Sequence, residues 1–368
     1  MIKILEIVTV EYAYNGITAV IRNYMNHMDQ QGLIVDYVLI NVPEPELRIE
    51  IEKHGGKIFV LNRNDVKSYV PALARLCRRE RYNVAHVHCN SATASVDLLG
   101  LLLGGVRRRI VHSHNTTCSH MKAHKLMYPF FRKSYTQAIA CGQKAGEWLF
   151  RNRPFLTLKN GIDLERYAFR EDERVKTRAE LGVTDNTILL GHVGLFNEQK
   201  NQAFLIPVMK ELSRRGDYRL LLVGIGDLQE KVRRFASESG MDDRIIFLGE
   251  TKEVERYLQA MDVLVMPSLH EGFPVSLVEA QAAGLSCVIS DVISREVDMT
   301  GLVRFVSLTE SPVAWADSIE EIPKKCGRQE LSTDAVLKLK ECGYDIRASA
   351  EILRGVFVGG NYGQATQN

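Results

Sequence analysis

Short apolar runs alternate with amphipathic stretches along the 368 residues, and the whole scheme occurs twice. In the first half, strand-length runs fall at 3–10, 34–41, 57–61, 84–88, 109–113, 137–141 and 155–158. Helical spacing fills 16–31, 45–54, 66–80, 92–103, 122–135 and 143–151 between them. In the second half, strands are expected at 187–194, 218–223, 244–248, 262–267, 286–290 and 303–307. Its helices are expected at 173–181, 199–215, 227–239, 252–260, 274–283, 311–321 and 331–341. No sequence repeat accompanies this repeated architecture. A strand followed by a helix and another strand favours parallel pairing, because a parallel neighbour needs a crossover. The predicted class is α/β: two doubly wound parallel-sheet domains facing a cleft, with ligands beyond the strand C-termini.

The boundary is expected after Lys159-Asn160-Gly161-Ile162-Asp163, where Asn-Gly marks a turn. This predicts a first domain at 1–164, a second at 165–343 and a final helix within 344–368. Charge is uneven between the halves. Residues 1–160 hold 22 Lys and Arg against 12 Asp and Glu, whereas the rest hold 25 against 33. The basic half suits an anionic surface or ligand, although charge also varies between domains by chance. Seven scattered cysteines without a Cys-x-x-Cys pair predict reduced thiols in a cytoplasmic protein. No apolar run reaches the length of a membrane span. The opening Met1-Ile2-Lys3-Ile4-Leu5-Glu6-Ile7-Val8 is interrupted by Glu6, so a first strand is predicted rather than a signal peptide.

The segment from Pro267 to Gly284 carries most of the chemistry. It places Glu271 and Glu279 around a loop, Gly272-Phe273-Pro274-Val275-Ser276-Leu277, that turns into a helix. Pro274 is expected in the first helical turn, where its missing N–H costs nothing, and Gly284 at the helix end. The open amides of such a helix suit an anion, and carboxylates accept hydrogen bonds from hydroxyls. Phosphate plus polyol indicates a nucleotide-sugar. Ser276-x-x-Glu279 also has capping-box spacing, which would spend both side chains on helix amides.

This segment resembles the Glu-x7-Glu signature of family 4 retaining glycosyltransferases, which have the GT-B fold of two Rossmann-like domains. The resemblance extends over nearly the whole chain and is closest to the bacterial branch that builds exopolysaccharide and capsule. It implies an N-terminal acceptor-binding domain, a C-terminal nucleotide-sugar-binding domain and a last helix that returns to the first. It implies that Glu271 contacts donor-sugar hydroxyls and Glu279 the ribose. Phe273, Pro274, Val275, Ser276 and Leu277 line the donor, and the amides near Ser276 and Leu277 meet its diphosphate. Lys200, in Gly191-His192-Val193-Gly194-Leu195-Phe196-Asn197-Glu198-Gln199-Lys200, matches the pyrophosphate-binding lysine, with Gly194 beside the donor. Leu195 stands where the family usually has an arginine. Asn15-Gly16 replaces the usual glycine pair after the first strand, and Gly226 in Gly224-Ile225-Gly226 borders the nucleotide. His114 matches a histidine that faces the donor sugar near its reacting carbon, with His112 and His88 as neighbours. The pairs His86-x-His88 and His112-x-His114 raise a metal site, but no carboxylate signal flanks them, so no metal is expected.

The implied activity is metal-independent, retaining hexosyl transfer from a nucleotide-diphosphate-sugar, UDP being the commoner base in this branch, to a lipid-linked or growing glycan. No cofactor and no nucleic-acid partner is expected. The mixture of cations and aromatics from Met121 to Lys133 suits contact with an anionic membrane, or equally a buried aromatic face. Leu195 motivates a second reading, a catalytically weak nucleotide-sugar binder acting as a partner of another glycosyltransferase.

Overall fold

The computed structural model describes residues 1–13, 16–322 and 327–360. It divides into two compact units, Met1–Gly161 together with the chain from Ile346 onward, and Ile162–Asp345.

The first unit holds seven parallel strands, β1 (Ile2–Val8), β2 (Leu33–Leu39), β3 (Ile58–Val60), β4 (Val84–Cys89), β5 (Arg108–Ser113), β6 (Gln137–Ala140) and β7 (Leu156–Thr157). Their spatial order is β3-β2-β1-β4-β5-β6-β7. The inner strands are buried on both faces, which is why they read as continuous apolar runs rather than alternating ones. Glu6 is the exception in β1 and is fully buried. Helix Ile346–Val358 buries Ile346, Ala350, Leu353, Val356 and Phe357 with Ile4, Val84 and Ile110 of the sheet and Val20 and Ile21 of helix Gly16–His27. Arg108 holds its last turn, donating from Nη1 to the Phe357 carbonyl at 2.7 Å. Cations suit that end because the final carbonyls lack partners in the helix.

The second unit repeats the design with β8 (Ile188–Val193), β9 (Tyr218–Val223), β10 (Ile245–Gly249), β11 (Val263–Met266), β12 (Ser286–Ser290) and β13 (Val303–Val306). The order is β10-β9-β8-β11-β12-β13, all parallel. In each sheet the order reverses once, between β1 and β4 and between β8 and β11. Loops leaving such a pair diverge to opposite faces and open a crevice at the strand C-termini.

Several elements differ from the sequence expectation, among them the first helix, which ends at His27 rather than at 31. The helix expected at 199–215 begins only at Leu205 and runs to Leu212, preceded by a single 3-10 turn at Gln202–Phe204. Asn201 takes φ +54°, a left-handed conformation that breaks any helix there, so Lys200 lies on a loop. Pro274 is the N-cap of helix Val275–Ala282 rather than a first-turn residue; its ψ of 111° is extended. A short helix, Leu164–Tyr167, follows the boundary where no element was expected, with the Asp163 side chain accepting from the Arg166 amide. The helix expected at 331–341 starts earlier, at Arg328. Gly284 does close its helix: it has φ +64°, and a Cβ there would lie 2.7 Å from the Arg328 carbonyl oxygen.

Candidate active site

The crevice of the second sheet is built by the loops after β8 and β11. They are tied together: Asn201 Nδ2 donates to the Pro267 carbonyl at 3.1 Å, and the Leu269 amide donates to the Gln199 carbonyl at 2.8 Å. This tie brings Lys200 Nζ to 2.7 Å from Glu271 Oε1, while Gln199 Nε2 donates to Glu271 Oε2 at 3.2 Å. The Lys200 side chain is 16% exposed and Glu271 7%, so the pair is largely screened from water yet reachable. The Lys200 backbone is fixed by its amide donating to Asn197 Oδ1 at 3.0 Å. Its methylenes run over Gly194, where a Cβ would sit 3.1 Å from Lys200 Cε. Two residues 71 positions apart in sequence are thus held as one unit.

The loop after β9 supports this arrangement from the side. Gly224 has φ +134°, and a Cβ there would lie 2.2 Å from the Gly194 carbonyl oxygen. Gly226 has φ +153°, and its Cβ would lie 2.5 Å from the Phe196 carbonyl oxygen. The Phe196 amide donates to Ile225 and the Leu228 amide to Phe196. Gly226 therefore interlocks with the loop carrying Lys200.

Around helix Val275–Ala282, Leu277 is fully buried, and its amide donates to the Pro274 carbonyl at 3.1 Å. Val275 and Ser276 form the first turn, where amides lack acceptors within the helix. Ser276 lies inside the helix rather than capping it, so the capping box does not form. Glu279 instead accepts from the Tyr167 hydroxyl at 2.9 Å. Phe273 stacks on Tyr344 with ring centroids 5.3 Å apart.

Burial pushes the Glu279 carboxyl up to about 7 against opposing help from Tyr167 and Arg166. A carboxyl whose pKa is higher folded than unfolded binds its proton preferentially in the folded state. Its contribution is full below the unfolded value, near 4.5, and is lost as pH rises through about 7. Relative to Glu279→Gln, wild type is expected to lose about 2–3 kcal/mol between pH 5 and 8. Denaturant midpoints of both proteins across that range check this; parallel curves would rule it out.

In the first unit, Gly16 opens helix Gly16–His27 with no atom within 4 Å of where its Cβ would be. Asn15 lies outside the described residues. His114 follows β5, and its Nε2 is 2.8 Å from His88 Nδ1. His88 Nε2 is 2.7 Å from Glu6 Oε2, and His86 Nδ1 is 3.0 Å from Glu6 Oε1. Burial pushes Glu6 up, but His86 and His88 outweigh it and hold the carboxyl at about 2. Burial drives His88 down to about 4 and His112 and His114 well below the usual imidazole range. A carboxylate does accompany the histidines, contrary to expectation: it arrives from β1, 80 residues away in sequence.

Nitrogens of His86, His88 and His112 lie within 4.8 Å of one another, a spacing that raises metal binding. His88 has both nitrogens engaged, by Glu6 and His114, so it has no lone pair free for an ion. The donor set fits a hydrogen-bonded chain better than a metal centre.

Sequence reasoning missed Tyr167, Gln199 and Glu6. Tyr167 sat just past the expected domain boundary, where no element was predicted, and Gln199 in a stretch read as helix. Glu6 did carry a signal, as a carboxylate in the middle of an apolar strand.

Comparison with known proteins bears on both units. Residues 14–166 match the family described as Glycosyltransferase Family 4, and residues 187–324 match Glycosyl transferases group 1. The chain is 32% identical over 362 residues to the putative glycosyltransferase EpsF of Bacillus subtilis, covering 93% of each. The chain belongs to glycosyltransferase family 4. It is also 27% identical over 243 residues, 62% of each chain, to an Escherichia coli UDP-Gal:α-D-GlcNAc-diphosphoundecaprenol α-1,3-galactosyltransferase. Its fold matches HepE of Anabaena, solved in complex with UDP, with a TM-score of 0.78 at 15% identity, over 97% of this chain and all of that one. Two parallel-sheet α/β units of GT-B type are thus the architecture of this glycosyltransferase, as the strand rhythm implied.

Proposed function

We propose that this glycosyltransferase transfers a hexosyl group from a UDP-sugar, with retention, to a hydroxyl of a lipid-linked or growing polysaccharide. The observation that carries the reading is the Lys200–Glu271 pair at 2.7 Å in the β8/β11 crevice. A cation meets the diphosphate, and a carboxylate meets the sugar's hydroxyls. Donor binding exchanges the ion pair for these two contacts, so neither charge is left buried alone. Glu279, beside Tyr167, accepts from the ribose, and the amides of Val275 and Ser276 turn to the phosphates, whereas that of Leu277 is already spent on the Pro274 carbonyl.

In the reaction, the bond between the sugar's anomeric carbon and the diphosphate oxygen breaks, and the acceptor oxygen bonds that carbon on the same face. The acceptor's proton passes to the departing phosphate. Lys200 offsets the growing charge without a metal. Proton NMR of the product from a screen of UDP-sugars checks the anomeric configuration. An inverted product would sink the mechanism.

Leu195 supports the second reading, a weakly active binder that partners another glycosyltransferase. It is 54% exposed on the Lys200 loop and carries no charge. Under the first reading, Leu195→Arg should raise kcat/KM about 3- to 30-fold, as a second exposed charge on the diphosphate would. Activity that appears only in Leu195→Arg would favour the second.

The acceptor reading draws support from two packed helices, Ser95–Leu103 and Met121–Ser134. They expose Leu99, Leu102, Leu103, Leu126 and Phe130. Lys122, Lys125, Arg132 and Lys133 are exposed on the second of them. This combination suits the cytoplasmic face of an anionic bilayer. Among the described residues no helix is long and apolar enough to cross a membrane. Flotation with phosphatidylglycerol vesicles should carry the protein up, and Lys122→Glu with Lys125→Glu should abolish it.

A further inference from the structure

The histidine chain of the first unit has a direction. β1 and β4 pair with Glu6 opposite His86 and Val8 opposite His88, and β4 and β5 pair with His88 opposite His112. Side chains alternate along strands, so Glu6, His86, His88 and His112 share one face, with His114 continuing it. The His112 and His114 rings lie 4.2 Å apart.

Ionised Glu6 has only acceptors to offer. His88 Nε2, at 2.7 Å, must therefore carry the proton it shares with Glu6 Oε2. A neutral imidazole has one N–H, so His88 Nδ1 keeps its lone pair. His114 Nε2, at 2.8 Å from that lone pair, must in turn be the donor. His114 Nδ1 is then left as a bare acceptor. It is shielded from solvent and has no partner among the described residues. An unmet acceptor of this kind costs free energy in the unliganded protein and is satisfied by a ligand's hydroxyl. Burial opposes an imidazolium at His88 and at His114.

We propose that Glu6 and His88 are positioning residues that lock His114 as the Nε2–H tautomer, so that Nδ1 accepts a hydrogen bond from a donor-sugar hydroxyl. This rests on the reading of His114 as a sugar contact. The chain fixes a tautomer rather than moving a proton through it, as the outer partner of a catalytic histidine does elsewhere.

Nitrogen-15 NMR of the histidine rings in the full-length protein at pH 7 tests it. Wild type should show His88 and His114 each as one tautomer, protonated on Nε2 and bare on Nδ1. Glu6→Ala should move the His114 Nδ1 resonance part-way toward the protonated value. It should also lower kcat for UDP-sugar turnover about 10- to 100-fold with KM within about twofold. A wild-type spectrum with His114 protonated on Nδ1, or on both nitrogens, overturns the chain even if Glu6→Ala fails to fold. So does a Glu6→Ala protein with unchanged His114 shifts. The underlying reading fails separately: wild-type turnover by His114→Ala removes the sugar contact while the tautomers of the native protein stand.

Discussion

Replacing Lys200 with alanine should lower UDP-sugar turnover by about 10²- to 10³-fold, the loss typical of removing one preorganised group from a developing anion. The geometry makes the expectation steep. Lys200 is fixed at both ends, by Asn197 at its amide and Glu271 at its ammonium, and its stem is laid over Gly194. The neighbouring position that the family usually fills with arginine is Leu195, so that second cation is missing. Most of the fall should appear in kcat, because the diphosphate gains charge as the bond to the sugar lengthens. Removing the ammonium also leaves Glu271 partly buried without its cation, which destabilises the second unit by about 1–3 kcal/mol. Far-UV circular dichroism separates that cost from the catalytic one. Glu271→Gln is the matching probe. It keeps hydrogen-bonding capacity toward hydroxyls but loosens Lys200, so its defect should be smaller. Turnover of Lys200→Ala within threefold of wild type would remove this lysine from the mechanism.

Gly224→Ala should lower the stability of the second unit by about 2–4 kcal/mol, or about 5–15 °C in Tm. A methyl group there would lie 2.2 Å from the Gly194 carbonyl oxygen, a backbone atom that cannot rotate aside. The φ of +134° adds strain that an L side chain rarely tolerates. Gly240→Ala is the milder comparison, since its φ of +70° borders the left-handed region open to L residues and nothing lies within 4 Å. It should cost about 1 kcal/mol. Calorimetry of both variants measures the difference. Equal losses would mean that the close approach of the two loops is relieved by movement. Should the Lys200 loop move instead, Gly224→Ala would lose activity out of proportion to its stability.

The fold was legible because parallel strands buried on both faces leave continuous apolar runs, and every predicted strand has its counterpart within three residues at either end. Helix starts were harder. The run from Gln199 to Arg215 has helical periodicity, yet the first residues are held in the loop by Asn201's left-handed backbone and its bond to Pro267. Local spacing cannot register a tie to a loop 66 residues away. The same limit hid Glu279's partner. Capping-box spacing offered Ser276, whereas Tyr167, 112 residues earlier, supplies the hydrogen bond. The family resemblance makes Gly226 a neighbour of the nucleotide. Its contact with Phe196 gives it a steric reason to be glycine in the absence of any ligand. The histidine pairs were legible as a strand face, but the carboxylate ordering them came from β1, beyond any local motif.

The first unit is discontinuous, and its last piece is the helix that buries Leu353 and Phe357 with the core of the first sheet. During synthesis the seven strands leave the ribosome some two hundred residues before their cover does. Ile4, Val84 and Ile110 must wait, wet, while the intervening unit is made and folds. Nascent chains stalled before Ile346 should therefore engage chaperones through the amino-terminal half, and release of the finished polypeptide should end that dependence.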